Sequence, residues 1–292
     1  MSDVIAVIAA GEMGSGIGKR LTERGARVLT SLKGRGAASA KRASEAGMVA
    51  VEDAELAKQA GVILSVVPPG EALGLAQRLK PALAQASHNP LYIDCNAVAP
   101  KTAIDIGKVL ADVRCRYVDG GIIGGPPAGT YTPSLYVSGQ AAADALLLAR
   151  YGLNVRVLDG PAGAASALKM SYAGITKGFT AIGTAMMLGS ARAGCADALR
   201  RELSESQPQL AAWLTRQVPR MFPKAYRWVA EMEEIAAFLG EDQASHDMFA
   251  AIAHLYEHMA AGAAKTSPAA EHDLAALLAF CSEAPEKLSK AG

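Results

Sequence analysis

The stretch Val4–Leu21, VIAVIAAGEMGSGIGKRL, decides the fold. Val4–Ala10 is a nearly continuous run of Val, Ile and Ala, the pattern of a strand buried on both faces between helix layers. Gly11 ends that run, and a helical pattern opens near Met13. The spacing Ala9-x-Gly11-x-x-Gly14 is that of a dinucleotide-binding turn with alanine in the first place, which Ala9 can fill only at negative φ. Gly11 would let the backbone approach a pyrophosphate, and Gly14 would let the helix lie against the strand. The helix N-terminus adds free N–H groups and partial positive charge. Ala10, Gly11, Glu12, Met13 and Gly14 are therefore expected to line a dinucleotide. A plain strand–helix turn would carry the same glycines, but a place at the start of the first strand–helix unit favours the nucleotide.

Working outward, the apolar runs ARVLTS, GVILSVV, PLYID, RYVDGG, SLYVSG and NVRVLDG follow in turn. Segments such as 14–24 and 69–84 leave room for a helix between them. This alternation predicts an α/β domain over residues 1–160, doubly wound around a mostly parallel sheet. Beyond Gly160 the strand signals stop. Ala, Leu and Met then recur at helical spacing, broken at SQPQ, PRMFPK, LGEDQ and KTSPAAE. An all-α domain is predicted over 161–292, with a long first helix near 164–193 and four or five shorter ones.

Composition narrows the function. Across 292 residues, 51% are hydrophobic and 20% charged, and the net charge of +1 gives no basic surplus for nucleic acid. Cys95, Cys115, Cys195 and Cys281 stand far apart with no CxxC pair, so neither a disulfide framework nor a zinc site is expected, and a reducing cytoplasm fits best. The N-terminus lacks the basic start of a signal peptide. The longest apolar segment, 162–191, carries Lys169 and Lys177, which argues against a membrane span. His254 and His258 are four apart but have no evident third ligand, so they read, with His246 and His272, as exposed helix histidines, and no metal is expected.

The second strand speaks to the cofactor. NAD-binding units end it with an acid for the ribose 2′-hydroxyl. Here VLTSLKGRG, Val28–Gly36, has no carboxylate but offers Ser31, Lys33 and Arg35. A hydroxyl and two cations suit a 2′-phosphate, so NADP(H) is expected, the alternative being a solvated basic loop. SVVPPG breaks the next long strand at its carboxyl edge, where doubly wound sheets bind ligands, so Val67 and Pro68 are expected to border the cofactor. Asn96, just beyond the YID run, is expected at cofactor or substrate. In ALKMSYAGITKG, Ala167–Gly178, steps of four stack Lys169, Ala173 and Lys177 on one helical stripe beside Tyr172 and Thr176.

Together these residues resemble the superfamily of 3-hydroxyacid and 6-phosphogluconate dehydrogenases, to which imine reductases also belong. GEMG, Gly11–Gly14, is similar to the family's fingerprint turn, and DGGIIGGPPAG, Asp119–Gly129, to its substrate loop. GAASALKMSYAG, Gly163–Gly174, is similar to its catalytic signature of a glycine turn followed by Lys and, four residues on, Asn. The resemblance runs in order over residues 3–190. It implies a nicotinamide-dependent oxidoreductase with Lys169 as general acid/base, substrate contacts at Ile123, Gly124 and Gly125, and a homodimer whose second subunit helps close the cleft. The C-terminal region, including PKAYRWVAEMEEIAAF, resembles the helical domain of a poorly characterised subgroup.

Two positions depart from the pattern. Ile123 stands where the family has a Ser that helps hold a carboxylate, and Ala173 replaces the Asn partner of the lysine. Neither side chain can hydrogen-bond, so small 3-hydroxyacids and 6-phosphogluconate are disfavoured as substrates. A larger or less acidic hydroxyl, carbonyl or imine compound is expected, with Tyr172 and Lys177 taking over polar contacts. Glu231, Glu233 and Glu234 read as a solvated face, and Tyr226 and Trp228 as residues that could line the substrate pocket. Three functions stay open: a dehydrogenase using Lys169, an imine or ketone reductase using Tyr172 or a C-terminal proton donor, and a non-catalytic NADPH-binding regulator.

Overall fold

The computed structural model describes residues 3–282. Its first strand, β1 (Val4–Ile8), is buried as the apolar run requires. Successive residues point to opposite faces of a strand. Ile5 and Val7 enter one core with Ile17, Leu21, Val28, Leu64, Ile93 and Val118. Ala6 and Ile8 enter a second core with Leu29, Ile63, Leu75, Leu79 and Tyr92. A helix layer on each face follows from that division.

The remaining strands are β2 (Arg27–Thr30), β3 (Val49–Ala50), β4 (Val62–Ser65), β5 (Leu91–Asp94), β6 (Arg116–Ile123), β7 (Ser134–Ser138) and β8 (Asn154–Val157). They form one sheet in the order β3-β2-β1-β4-β5-β6-β7-β8. Pairing is parallel except between β6 and β7. The chain reverses its direction of travel through the sheet between β1 and β4, the switch point where doubly wound sheets open a crevice at their carboxyl edge. The helices of this half are α1 (Glu12–Glu23), α2 (Ala37–Glu45), α3 (Asp53–Gln59), α4 (Ala72–Ala84) and α5 (Pro100–Leu110). The expected α/β architecture is present. The sequence reading missed only β3, a two-residue edge strand with no apolar run, and a 3₁₀ segment at Ala142–Tyr151.

The helical region runs through α6 (Ala164–Arg192), α7 (Ala196–Ser206), α8 (Pro208–Met221), α9 (Ala225–Phe238), α10 (Gln243–Ala263) and α11 (Pro268–Ser282). Pro208 opens α8 where its missing N–H is harmless, and Asp242 caps α10 by accepting from the Ala244 N–H at 3.2 Å. Met232, Ile235, Tyr256, Met259, Leu277 and Phe280 are buried here. By compactness the chain divides between Tyr172 and Ala173, inside α6. The limits expected from sequence, 1–160 and 161–292, assign all of α6 to the second part.

Candidate active site

The site is built from the turns that leave the carboxyl edge of the sheet. After β1, Gly11 precedes α1, whose start no side chain caps among the described residues. An uncapped helix start leaves backbone N–H groups for a ligand. Open space lies over the Gly11 Cα, whereas a Cβ on Gly14 would overlap the Ala9 carbonyl. Gly14 thus lets α1 lie close to the strand end, the space over Gly11 leaves room for a ligand backbone, and the turn fits a dinucleotide pyrophosphate. Ala9 keeps out of the left-handed region. Ala10 is buried, Met13 half-buried and Glu12 exposed. Arg42 of α2 donates from Nε to the Ala10 carbonyl at 2.8 Å, a brace that no motif announces.

The turn after β2 gathers residues from several elements. Ser31 is buried and donates to Asp53 Oδ1 at 2.7 Å. Arg78 of α4 sets its Nε 3.3 Å from Asp53 Oδ2 and donates from Nη1 to the Lys33 carbonyl at 3.3 Å. Arg35 pairs with Glu71, which precedes α4. Lys33 is exposed. Two carboxylates thus approach a segment that has none of its own, carried there by α3 and the β4–α4 connection.

Asn96, after β5, is buried. Its Oδ1 accepts the Val67 N–H at 2.6 Å, while Nδ2 donates to Ser65 Oγ at 2.7 Å and to the Asp94 carboxylate. The amide expected at substrate or cofactor instead fixes the backbone of the Val67–Pro68 turn. Val67 itself is buried and Pro68 exposed. Asp94 lies in register with Asp119 across β5 and β6. Burial first, then the Asp119 charge, push the Asp94 carboxyl up to about 8, against the hydrogen bonds from Asn96 and Ser65. Its Oδ2 has no hydrogen-bond partner among the described residues.

Asp119 has many partners. Oδ2 accepts from the backbone N–H of Gly163 at 2.8 Å, Ala165 at 2.9 Å and Ser166 at 3.1 Å, and from Ser138 Oγ at 2.9 Å. Oδ1 accepts from Ser166 Oγ at 2.5 Å. An acid at a helix N-terminus satisfies orphan donors and complements the helix dipole. It anchors α6 on the sheet. A Cβ on Gly121 would stand 2.8 Å from the Ala165 carbonyl oxygen and 3.0 Å from Lys169 Cβ, so only glycine admits this close a helix. Lys169 is half-buried against that strand. Farther along, Ile123 is half-buried, Gly124 and Gly125 are exposed, and the Gly125 N–H donates to the Tyr131 hydroxyl at 3.2 Å. Buried Arg20 of α1 holds this loop by donating to the Gly129 and Tyr131 carbonyls at 2.8 and 3.2 Å and to Thr132.

A family profile described as the NAD binding domain of 6-phosphogluconate dehydrogenase matches residues 4–150. The chain belongs to that family. A second profile, a domain of unknown function (DUF1932), matches residues 191–259. An uncharacterized 28.5 kDa protein encoded in a 7S RNA 5′ region of Methanothermus fervidus is 26% identical over 257 residues, 87% of this chain and 98% of the relative. Among solved structures, a conserved protein of unknown function, MTH1747, described as similar to 3-hydroxyacid dehydrogenases, is 26% identical with a TM-score of 0.70, over 90% of this chain and 98% of that one. A 3-hydroxyisobutyrate dehydrogenase from Mycobacterium tuberculosis, solved with L-serine, shares the fold at a TM-score of 0.72 with 18% identity, over 89% of this chain and 94% of the other. The chain is thus a member of an NAD(P)-binding, 3-hydroxyacid dehydrogenase-like oxidoreductase family.

Farther along α6, the family's Asn position is filled by Ala173, which is buried, while Tyr172 is half exposed. Lys177 pairs with Glu231 of α9, and its ammonium lies 5.0 Å from the Trp228 ring centroid. Trp228 packs edge-on against Tyr256, whose hydroxyl donates to the Lys177 carbonyl at 2.6 Å. Glu231 is therefore half-buried and paired, not part of a solvated face, and Trp228 serves this contact. Glu233 and Tyr226 are exposed. His258 likewise departs from expectation: its Nε2 is 2.9 Å from Asp273 Oδ2, to which Arg192 also donates at 2.7 Å. His254 and His272 are exposed. Among the described residues, no three His, Cys, Asp or Glu converge as a metal site, and no helix is long and apolar enough to cross a membrane.

Proposed function

We propose that the chain is an NADP(H)-dependent oxidoreductase that transfers hydride between the nicotinamide and a hydroxyl- or carbonyl-bearing carbon of a small molecule, with Lys169 as general acid/base. The observation that carries this reading is the seating of Lys169, whose Cβ a glycine-bearing strand end meets and whose helix Asp119 anchors. Among the described residues, nothing pairs with the Lys169 ammonium, which leaves it to a ligand. The Gly11 turn and the uncapped start of α1 would hold the pyrophosphate, and exposed Lys33, with Arg35 once it leaves Glu71, would hold the 2′-phosphate. Bound there, the nicotinamide supplies hydride acceptance or donation. Lys169 takes the proton from the substrate hydroxyl in oxidation and returns it to the oxygen in reduction.

Ile123 and buried Ala173 offer no hydrogen bond to a carboxylate, which supports a larger or less acidic substrate than a small 3-hydroxyacid. Half-exposed Tyr172, one turn from Lys169, favours a second reading as an imine or ketone reductase. We also propose a homodimer through the helical region. Ile175, Phe179, Ile182 and Met186, each more than half exposed, form an apolar seam along α6 at coiled-coil spacing. Free Cys95, Cys115, Cys195 and Cys281 suit a reducing cytoplasm.

The direct test is a screen of NADP⁺ reduction with diverse alcohols and hydroxyacids, and of NADPH oxidation with ketones and imines. Turnover of alcohols supports the dehydrogenase, turnover of imines alone the reductase, and tight NADPH binding without turnover a regulator. Sedimentation of a concentration-independent monomer would remove the dimer.

A further inference from the structure

Cofactor choice at the end of β2 rests on a residue that β2 does not carry. Asp53 is the first residue of α3, and its carboxylate reaches Ser31, just past the strand. A carboxylate at this edge is what NAD-binding units use to hold the ribose 2′-hydroxyl, and it would repel a 2′-phosphate. Here Asp53 is not left alone. Arg78 brings its Nε within 3.3 Å of Oδ2, and its Nη1 bonds the carbonyl of Lys33, so one guanidinium ties the acid to the loop that bears the cations. The Asp53 and Arg78 side chains are 13% and 27% exposed, so water screens the pair only partly. The Arg78 Nε and Nη2 atoms are buried and make no hydrogen bond among the described residues, so Coulomb attraction, rather than hydrogen bonding, links Nε to Asp53. Around this turn Lys33, Arg35 and Arg78 stand against Asp53 and Glu71, and removing Arg78 would leave cations and carboxylates equal.

We propose that Arg78 is a specificity-determining residue for the cofactor, cancelling the Asp53 carboxylate so that the end of β2 accepts a 2′-phosphate instead of a ribose diol. The proposal rests on the NADP(H) reading. With Arg78 in place, Asp53 is held by Ser31 and a guanidinium, Glu71 offsets Arg35, and the one surplus cation, exposed Lys33, is left for the phosphate. Without it, Asp53 becomes the acid that an NAD site requires. Arg78 acts through Asp53, so the two residues must be tested together.

The test is calorimetric titration of the full-length protein with NADP⁺ and NAD⁺, using Arg78→Leu, Arg78→Lys, Asp53→Asn and the double variant Asp53→Asn/Arg78→Leu. Arg78→Leu should weaken NADP⁺ by about tenfold, the scale of one charge-assisted contact, and leave NAD⁺ unchanged or tighter. Asp53→Asn in that background should restore most of the lost NADP⁺ affinity, and Arg78→Lys should keep the preference by keeping the charge. A merely structural arginine would not be rescued by neutralising its partner. An unchanged NADP⁺/NAD⁺ ratio in Arg78→Leu, or no recovery in the double variant, overturns the proposal. A wild type that itself binds NAD⁺ at least as tightly as NADP⁺ overturns the cofactor reading, and that is seen before any variant is titrated.

Discussion

The start and the middle of α6 make an instructive pair. At its start, Asp119 anchors the helix on the sheet, Gly121 admits it closely, and Lys169 projects from the second turn with no ion-pair partner among the described residues. Two helical turns on, about 12 Å along the axis, Lys177 is closed in by Glu231 and Trp228. The same residue type on the same stripe has no ion-pair partner among the described residues in one setting and is tied by a carboxylate in the other. Sequence spacing defines the stripe, but the elements packed against each lysine decide its use.

The largest expected effect follows directly. Lys169→Ala should lower turnover by about 10²–10⁴-fold, the usual contribution of a general acid/base, with NADPH affinity nearly unchanged. Lys169→Arg should also be poor, because a guanidinium holds its proton at neutral pH. Steady-state kinetics beside calorimetry separates the two readouts, and near-normal turnover in Lys169→Ala would erase the contrast with Lys177.

The anchor beneath Lys169 has its own contrast, between Asp119 with its ring of donors and Asp94 with an unpartnered oxygen. Asp94 titrates near 8 in the folded chain and near the ordinary carboxylate value of 3.8 when unfolded. Between those values the folded state holds the extra proton. Stability from this group is therefore complete below about pH 4 and is lost as pH rises toward about 8, by at most roughly 1.4 kcal/mol per pH unit. Asp94→Asn mimics the neutral acid and should flatten that slope. Urea midpoints across this range provide the measurement, and equal slopes for the two proteins would refute the assignment.

How much of this was legible depends on where partners come from. The turn at Gly11 and Gly14 was readable because its tight contact, Gly14 on the Ala9 carbonyl, joins residues close in the chain. The candidate Lys169 stands in a local motif, Gly163–Gly174. Asp53, Glu71 and Arg78 were not readable in this way, because separate elements carry them to the end of β2, where the segment has no acid of its own. Asp94 meets Asp119 only through the β5–β6 register. Asn96 was placed at the correct strand end, but its side-chain direction is set by Val67 and Ser65. Glu231 looked like one acid of a solvated face because its partner is far away in sequence.

A smaller effect tests the structural lysine. Lys177→Met removes the cation from a pair whose side chains are 12% and 18% exposed, leaving Glu231 without it. A loss of about 1–3 kcal/mol in unfolding free energy is expected, below the cost for a fully buried pair. Turnover should stay within a few-fold. A large rise in KM with unchanged stability would instead return Lys177 to the substrate, as the sequence alone suggested.

The smallest expected effect is at Tyr172, and it separates the two catalytic readings. Its ring is half exposed and follows Lys169 by one turn, so its hydroxyl is the nearest rival in sequence for the proton. If Lys169 handles the proton, Tyr172→Phe removes one polar contact and should change turnover by no more than about threefold. If Tyr172 is the donor, the same change should lower reduction of ketones or imines by about 10²-fold or more, while Lys169→Ala acts weakly. Rates of both variants on one substrate, compared across pH, decide between them, because only the true donor's loss should abolish the ionisation seen in the wild-type profile. A reductase using Tyr172 would leave neither lysine as the proton donor, and the difference between the start and the middle of α6 would then lie in a tyrosine.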